Sequence, residues 1–248
     1  MKKIFKKILQ YYLKFWTKIA ILIHRPIIIG IAGSVNKSFF RDDIKKMLEK
    51  NGESVRAAPK NFNTEIGLPL AILFLPSGYN SYLKWFPAIL NAPLAVFKKF
   101  PKYLVLEFGT SKSGDMKYLL SIAKPKISVI TDITQKYLEA FDDMNDLVAE
   151  YAYLIKKTKK DGLIVLNNDN IKLEKLLQNT KQNKKSFAVK NQADCQAIKI
   201  ERGESGQKLK INFKRKVKDY DIKKFGKHHV YSFMASLIIE NYVLKKYE

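Results

Sequence analysis

A five-residue apolar run constrains this chain more than any other feature. Residues 27–31 are Ile-Ile-Ile-Gly-Ile, placed directly after Pro26 and running into Gly33. The run is too short for a buried helix and shows no polar alternation. It therefore predicts a strand covered on both faces, as in a parallel sheet. Residues 41–51 then carry Ile44, Met47 and Leu48 at helical spacing, with Gly52 as a stop. Strand, loop and helix in that order open a doubly wound α/β sheet. Similar buried strands are predicted at 103–108, 127–131 and 162–166, with helices near 115–123, 144–157 and 228–246. The expected fold class is α/β with a mostly parallel sheet. Pro87 and Pro93 lie inside the apolar stretch 79–99, which reads as a broken helix or an inserted loop. Residues 178–192 are rich in Lys, Gln and Asn and read as exposed. Alternating runs at 197–201 and 208–213 flank a Gly-Glu-Ser-Gly turn, a hairpin signal at the sheet edge.

The chain has 248 residues, enough for one large domain with a small extension, and 46% of them are hydrophobic, which argues against disorder. The single cysteine, Cys195, excludes an internal disulfide framework, and His24, His228 and His229 form no spaced metal cluster. The formal charge is +23, yet the chain has only five arginines. Lysine spread along the whole length reads as a solvated surface with general attraction for anions. It argues against nucleic acid as the partner, because bidentate readout favours arginine.

Residues 1–25 read as a basic amphipathic helix. Ile4, Phe5, Ile8, Leu9, Tyr12, Phe15, Trp16, Ile19 and Ile23 recur at helical spacing, while Lys6, Lys7, Lys14 and Lys18 interrupt any uncharged run. Two placements stand open: on an anionic membrane surface, or docked on the domain that follows. The first implies a cytoplasmic protein held peripherally at the inner face of the membrane.

The loop after the first strand is Gly33-Ser34-Val35-Asn36-Lys37-Ser38. A phosphate loop needs backbone N–H groups curled round an anion, a lysine for the outer phosphates, and a hydroxyl for Mg²⁺. Lys37 and Ser38 meet the last two needs. Asn36 stands where such loops place glycine, and Asn tolerates positive φ. An ordinary strand-to-helix turn with a surface lysine is the alternative.

Further motifs follow in order. They are Asn61 to Leu70, Leu104 to Gly114 with Asp115 after it, Ile127 to Thr131 with Leu138-Glu139, Asp161-Gly162 through Asn167 and Asp169, and Gly226 to Tyr231. With the loop at 33–38, these resemble the central ATP-binding domain of the Mur ligase family, collinearly over about residues 27–246. The resemblance implies residues 1–25 as an N-terminal helix and 26–248 as a Mur ligase-like central domain, without the family's N-terminal substrate domain or C-terminal ligase domain. It implies an ATP-dependent, amide-forming ligase of peptidoglycan precursor synthesis that works through an acyl phosphate on a carboxylate-bearing cell-wall precursor. Lys37 and Glu107 become the implied catalytic residues. Gly33, Ser34, Val35, Asn36, Lys37, Ser38 and His229 become the implied ATP contacts, Ser38 and Glu107 the Mg²⁺ ligands, and Asn63 and Thr64 the substrate side.

The chain also departs from the family pattern. Tyr137 and Tyr151 stand where the family places a magnesium-binding histidine and an organising lysine, Asp132 replaces an asparagine, and Asn36 replaces the loop glycine. These departures imply a weakened centre. They keep a second reading open, a nucleotide-binding or membrane-surface scaffold derived from such a ligase.

Overall fold

The computed structural model describes residues 3–79, 81–135, 141, 143–178 and 180–244. In chain order the elements are α1 (Lys3–His24), β1 (Ile27–Ala32), α2 (Lys37–Lys50), β2 (Val55–Ala57), α3 (Gly67–Leu73), α4 (Tyr82–Ala95), β3 (Tyr103–Glu107), α5 (Asp115–Ile122), β4 (Ile127–Ile130), α6 (Met144–Lys157), β5 (Leu163–Asn167), α7 (Ile171–Gln178), β6 (Asn183–Ala188), β7 (Cys195–Arg202), β8 (Gln207–Phe213), β9 (Lys216–Ile222) and α8 (Lys227–Leu244). The strands form one sheet in the order β2-β3-β1-β4-β5-β6-β7-β8-β9. Pairing is parallel from β2 through β7 and antiparallel from β7 through β9. The α/β expectation holds.

Strand residues alternate between two cores, which is why the central strands are apolar at nearly every position. Ile28, Ala32, Leu104 and Leu106 face α3, α5 and α6. Ile29, Ile31, Tyr103 and Val105 face α2 and α8. A third cluster joins α1, α3 and α4 through Leu9, Leu13, Ala20, Leu70, Leu73, Trp85, Ala88 and Ala92. Helix α1 is therefore docked through one face, as one of the two expected placements required.

Within the stretch 79–99, residues 82–95 are neither a broken helix nor a loop. Helix α4 runs unbroken through both prolines. A proline at position i leaves the carbonyl at i−4 without its donor. Pro93 orphans the Ile89 carbonyl, and the Tyr12 hydroxyl of α1 donates to that oxygen at 2.8 Å. Pro87 orphans the Leu83 carbonyl, at a residue 87% exposed to solvent.

Three further strands depart from the expectation. The short β2 pairs with β3 at the sheet edge, β6 lies within the stretch read as exposed, and β9 extends the expected hairpin to a three-stranded ribbon. Asp169, in the turn between β5 and α7, ties that turn to α8 and to the loop after β6. Its carboxylate accepts from the amides of Val189 at 2.8 Å and Asn191 at 2.8 Å, from Lys190 at 3.0 Å, and from the Tyr231 hydroxyl at 2.6 Å. Burial opposes the charge, but these bonds outweigh it and hold Asp169 below the usual carboxylate range. Asp169→Ala is expected to lower the unfolding free energy by about 3 kcal/mol, measured by urea denaturation. Because the folded-state pKa is depressed, the parent keeps this contribution above the unfolded pKa and loses it as pH falls through the folded one. The variant lacks that part of the acid slope.

Candidate functional site

The site forms where the chain order reverses. From β1 the sheet continues to β3 on one side and β4 on the other, leaving a crevice beyond the carboxyl ends of these strands. Gly33 leaves β1 at φ +138°. Asn36 precedes α2 at φ 65° and ψ 4°, the left-handed conformation expected of it, and its side chain caps no amide of α2. The first turn of α2 contains no acid. The positive dipole end of α2 therefore stands at the loop with no acidic side chain of its own first turn to offset it.

Neighbouring residues pin the loop. Thr131 Oγ1 donates to the Val35 carbonyl at 2.7 Å, and the Thr134 amide donates to Ser34 Oγ at 3.1 Å. The Ser34 amide donates to the Asp132 carbonyl at 2.8 Å. This corrects the expected role of the Ser34 amide as an anion donor, since a loop-to-loop bond already uses it. Lys37 Nζ donates to the Gly33 carbonyl at 2.6 Å and so lies across the loop.

Glu107 ends β3, and the parallel register Ile31↔Glu107 sets it beside the end of β1. Lys37 is close enough for its charge to act on Glu107. The carboxylate is not open, however. It is 6% exposed and accepts from Arg41 Nη1 at 2.8 Å. Arg41 Nε also donates to Asp42 Oδ1 at 2.8 Å. Burial raises Glu107 above the usual glutamate range, against the opposing pull of Arg41 and Lys37. The expected Mg²⁺ ligand Glu107 does not fit the ion in this arrangement, because the Arg41 guanidinium already holds its buried Oε1. Among the described residues, no group of three or more His, Cys, Asp or Glu is placed to hold a metal. Tyr137 lies outside the described residues. Tyr151 is buried in the core beside α5 rather than facing the crevice. Its neighbour Glu150 accepts from the amides of Gly114 at 2.8 Å and Met116 at 2.7 Å and so fixes the start of α5.

Lys37, Asn63 and Thr64 line one cleft of about 450 Å³, together with Gln10, Lys112 and the loop from Gly109 to Asp115. The Gly109 amide donates to the Asn63 carbonyl at 2.9 Å, which joins the two walls. Gly33, Ser38, Glu107 and His229 are not among the residues lining this cleft. His229 packs edge-on against Phe39 at 4.7 Å and tilted against His228 at 4.3 Å, at the start of α2. Burial, and then the charges of His228 and Lys224, hold it below the usual imidazole range.

Sequence reasoning missed Arg41, Gln10 and Lys112. Arg41 carried a signal, since it is one of five arginines in a lysine-dominated chain. Arg56 lies over the Phe74 ring at 4.0 Å, another place where a planar cation is used for a specific contact.

The family model described as the Mur ligase middle domain matches residues 86–239. The chain is 28% identical over 211 residues to the UDP-N-acetylmuramoyl-tripeptide–D-alanyl-D-alanine ligase of Bacillus subtilis (strain 168), covering 85% of this chain and 40% of that protein. It is 27% identical over 210 residues to the ligase of the same name from Borreliella burgdorferi, covering 84% and 40%. Its fold matches the crystal structure of MurF ligase from Thermotoga maritima in complex with ADP, with a TM-score of 0.78 at 22% identity, over 95% of this chain and 49% of that one. This chain thus spans about two fifths of the length of these curated relatives. With a doubly wound sheet, a loop-to-helix crevice at its switch point and a family match over more than half its residues, the chain belongs to the Mur ligase family.

Proposed function

We propose that the chain is the ATP-binding unit of a MurF-type ligase, which joins a carboxylate of a muramoyl-peptide precursor to the amine of a dipeptide. The observation that carries this reading is the cleft in which Lys37, from the start of α2, faces Asn63, Thr64 and the loop after β3. The names of the relatives supply the substrate class, and the ADP complex of the structural neighbour supplies the nucleotide.

In this reading the triphosphate caps the first-turn amides of α2, and the Lys37 ammonium leaves the Gly33 carbonyl to meet the outer phosphates. A substrate carboxylate oxygen attacks the γ-phosphorus, and ADP departs with the bridging oxygen. The amine nitrogen then attacks the acyl carbon, phosphate leaves, and the amine gives up one proton. Positioning and charge stabilisation supply the catalysis. The chain's own cation at Glu107 is Arg41, so no step is assigned to a metal bound there.

That same ion pair favours a second reading, a unit that binds ATP without transferring phosphate. Calorimetric titration with ATP, with magnesium and with chelator, tests the binding, and ADP release with both acceptor substrates tests the transfer. Lys37→Ala is expected to weaken ATP binding by about 10–100-fold, the loss of one charge-assisted contact. ADP released only when both substrates are present supports the ligase. Binding without release supports the second reading, and no ATP binding by the parent ends both.

A further inference from the structure

We propose that α1 and α4 together form a docking platform for an anionic membrane surface. Seam contacts rise together along both helices, so the two run parallel. Phe5 meets Tyr82 with ring centroids 5.1 Å apart, Tyr12 reaches the Ile89 carbonyl at 2.8 Å, and His24 Nε2 lies 2.6 Å from the Val96 carbonyl. Each helix buries one stripe on the core, Leu9, Leu13, Thr17 and Ala20 on α1 and Trp85, Ala88, Ala92 and Ala95 on α4. Helical spacing places a second apolar stripe opposite each buried one. On α1 it is Ile4, Ile8, Tyr11, Phe15 and Leu22, and on α4 it is Leu83, Phe86, Leu90 and Leu94, continued by Phe97 in the turn after the helix, all exposed. Leu83 is 87%, Phe97 83% and Ile4 75% exposed. The two stripes lie side by side on the outer face of a two-helix layer, a contiguous apolar patch of the kind that marks an interaction surface.

Charge selects the occupant. Neither helix contains an Asp or a Glu. Spacing puts the exposed Lys7 and Lys18 on the flank of α1 away from α4, and the exposed Lys84 on the flank of α4 away from α1. Lys98 and Lys99 follow α4 and are also exposed. An apolar centre with lysine rims fits acyl chains under anionic headgroups, with lysine stems lying along the apolar surface. At the end of α1, Lys18 and Leu22 also line a groove of about 650 Å³ that gathers Arg25, Lys117, Lys124, Lys157 and Lys159, with no acid in its lining. That groove extends the platform with a site for headgroup phosphate. No described helix is long and apolar enough to cross a membrane, so contact is at the surface.

Vesicle sedimentation of the full chain tests the proposal, using phosphatidylcholine with and without about a third phosphatidylglycerol. The parent is expected to bind only the anionic vesicles, more weakly as salt rises. The variant Leu83→Gln/Phe86→Gln/Phe97→Gln, altered only at exposed positions, should keep its melting temperature and lose at least ~100-fold in partitioning. Lys7→Gln/Lys18→Gln/Lys84→Gln should lose about fivefold for each lysine removed. Equal partitioning of parent and apolar variant overturns the proposal in favour of diffuse charge. Absence of binding to anionic vesicles overturns it outright. A parental dimer that the apolar variant disperses, seen by sedimentation velocity, assigns the face to a second copy and also overturns it. None of these results depends on nucleotide binding.

Discussion

Arg41→Met is expected to destabilise the protein by about 3–5 kcal/mol at neutral pH, because it leaves the Glu107 carboxylate buried without its guanidinium. The pair is made at 2.8 Å, with both side chains at most 10% exposed. Removing one partner strands the other, whereas removing both can be nearly neutral. The double variant Arg41→Met/Glu107→Leu should therefore recover most of the loss, and urea denaturation of the four proteins gives the coupling energy directly. The pH dependence provides an independent check. Burial already raises Glu107, and loss of Arg41 raises it further. A carboxyl with a raised folded-state pKa costs stability as pH climbs above its unfolded value, because the unfolded chain ionises first. The single variant should thus approach the parent as pH is lowered toward the unfolded glutamate pKa and fall away from it as pH rises. A single variant that matches the parent at neutral pH would show that the charge at Glu107 is balanced by another group.

This pair also marks the boundary of what the sequence discloses. Strands β1, β3, β4 and β5 are buried at nearly every position, and such runs have few other ways to satisfy their apolar surface. Their order along the chain makes the doubly wound sheet legible. By contrast, β6 begins Asn-Lys-Lys-Ser and buries only Phe187 and Ala188 at its end. β9 reads Lys-Val-Lys-Asp-Tyr-Asp-Ile and buries only Ile222. Hydrogen bonds to a neighbouring strand hold these segments, and periodicity does not register that pairing. α4 was obscured for another reason. Its prolines signal a break, and the Tyr12 hydroxyl that serves the orphaned Ile89 carbonyl lies 77 positions away.

The same contrast holds at the site. The left-handed backbone of Asn36 is the conformation its residue chemistry allows, and Lys37, Asn63 and Thr64 line one cleft. Occupation of Glu107 by Arg41 does not follow from any local pattern. On α2, Arg41 reads as a polar position of an amphipathic helix, and its partner is 66 residues distant. Only the β1–β3 register brings the two within reach. The resemblance implies a nucleotide contact for Ser34, while the acceptor of its amide, the Asp132 carbonyl, belongs to the turn after β4, far from the loop in sequence.

Gly33→Ala should be the most damaging small substitution in the loop, with a loss of roughly 3–5 kcal/mol from two additive causes. At φ +138° the backbone occupies a region that residues with a Cβ rarely reach. A methyl group there would also stand 2.1 Å from Thr131 Oγ1 and 3.0 Å from the Asp132 carbonyl oxygen. The two causes can be separated. Thr131→Ala removes the hydroxyl in the way but also its hydrogen bond to the Val35 carbonyl, so alone it costs about 1 kcal/mol. Combined with Gly33→Ala it should relieve the closest clash and return only part of the loss, since the dihedral strain and the Asp132 backbone contact remain. ATP affinity is expected to fall in Gly33→Ala and in the double variant alike, because the loop that aims the first turn of α2 must shift to admit the methyl group. Chemical denaturation of the three variants, with calorimetric ATP titration of each, checks both parts. Full rescue of stability by Thr131→Ala would mean that the clash alone sets the cost and that the backbone at position 33 is unstrained.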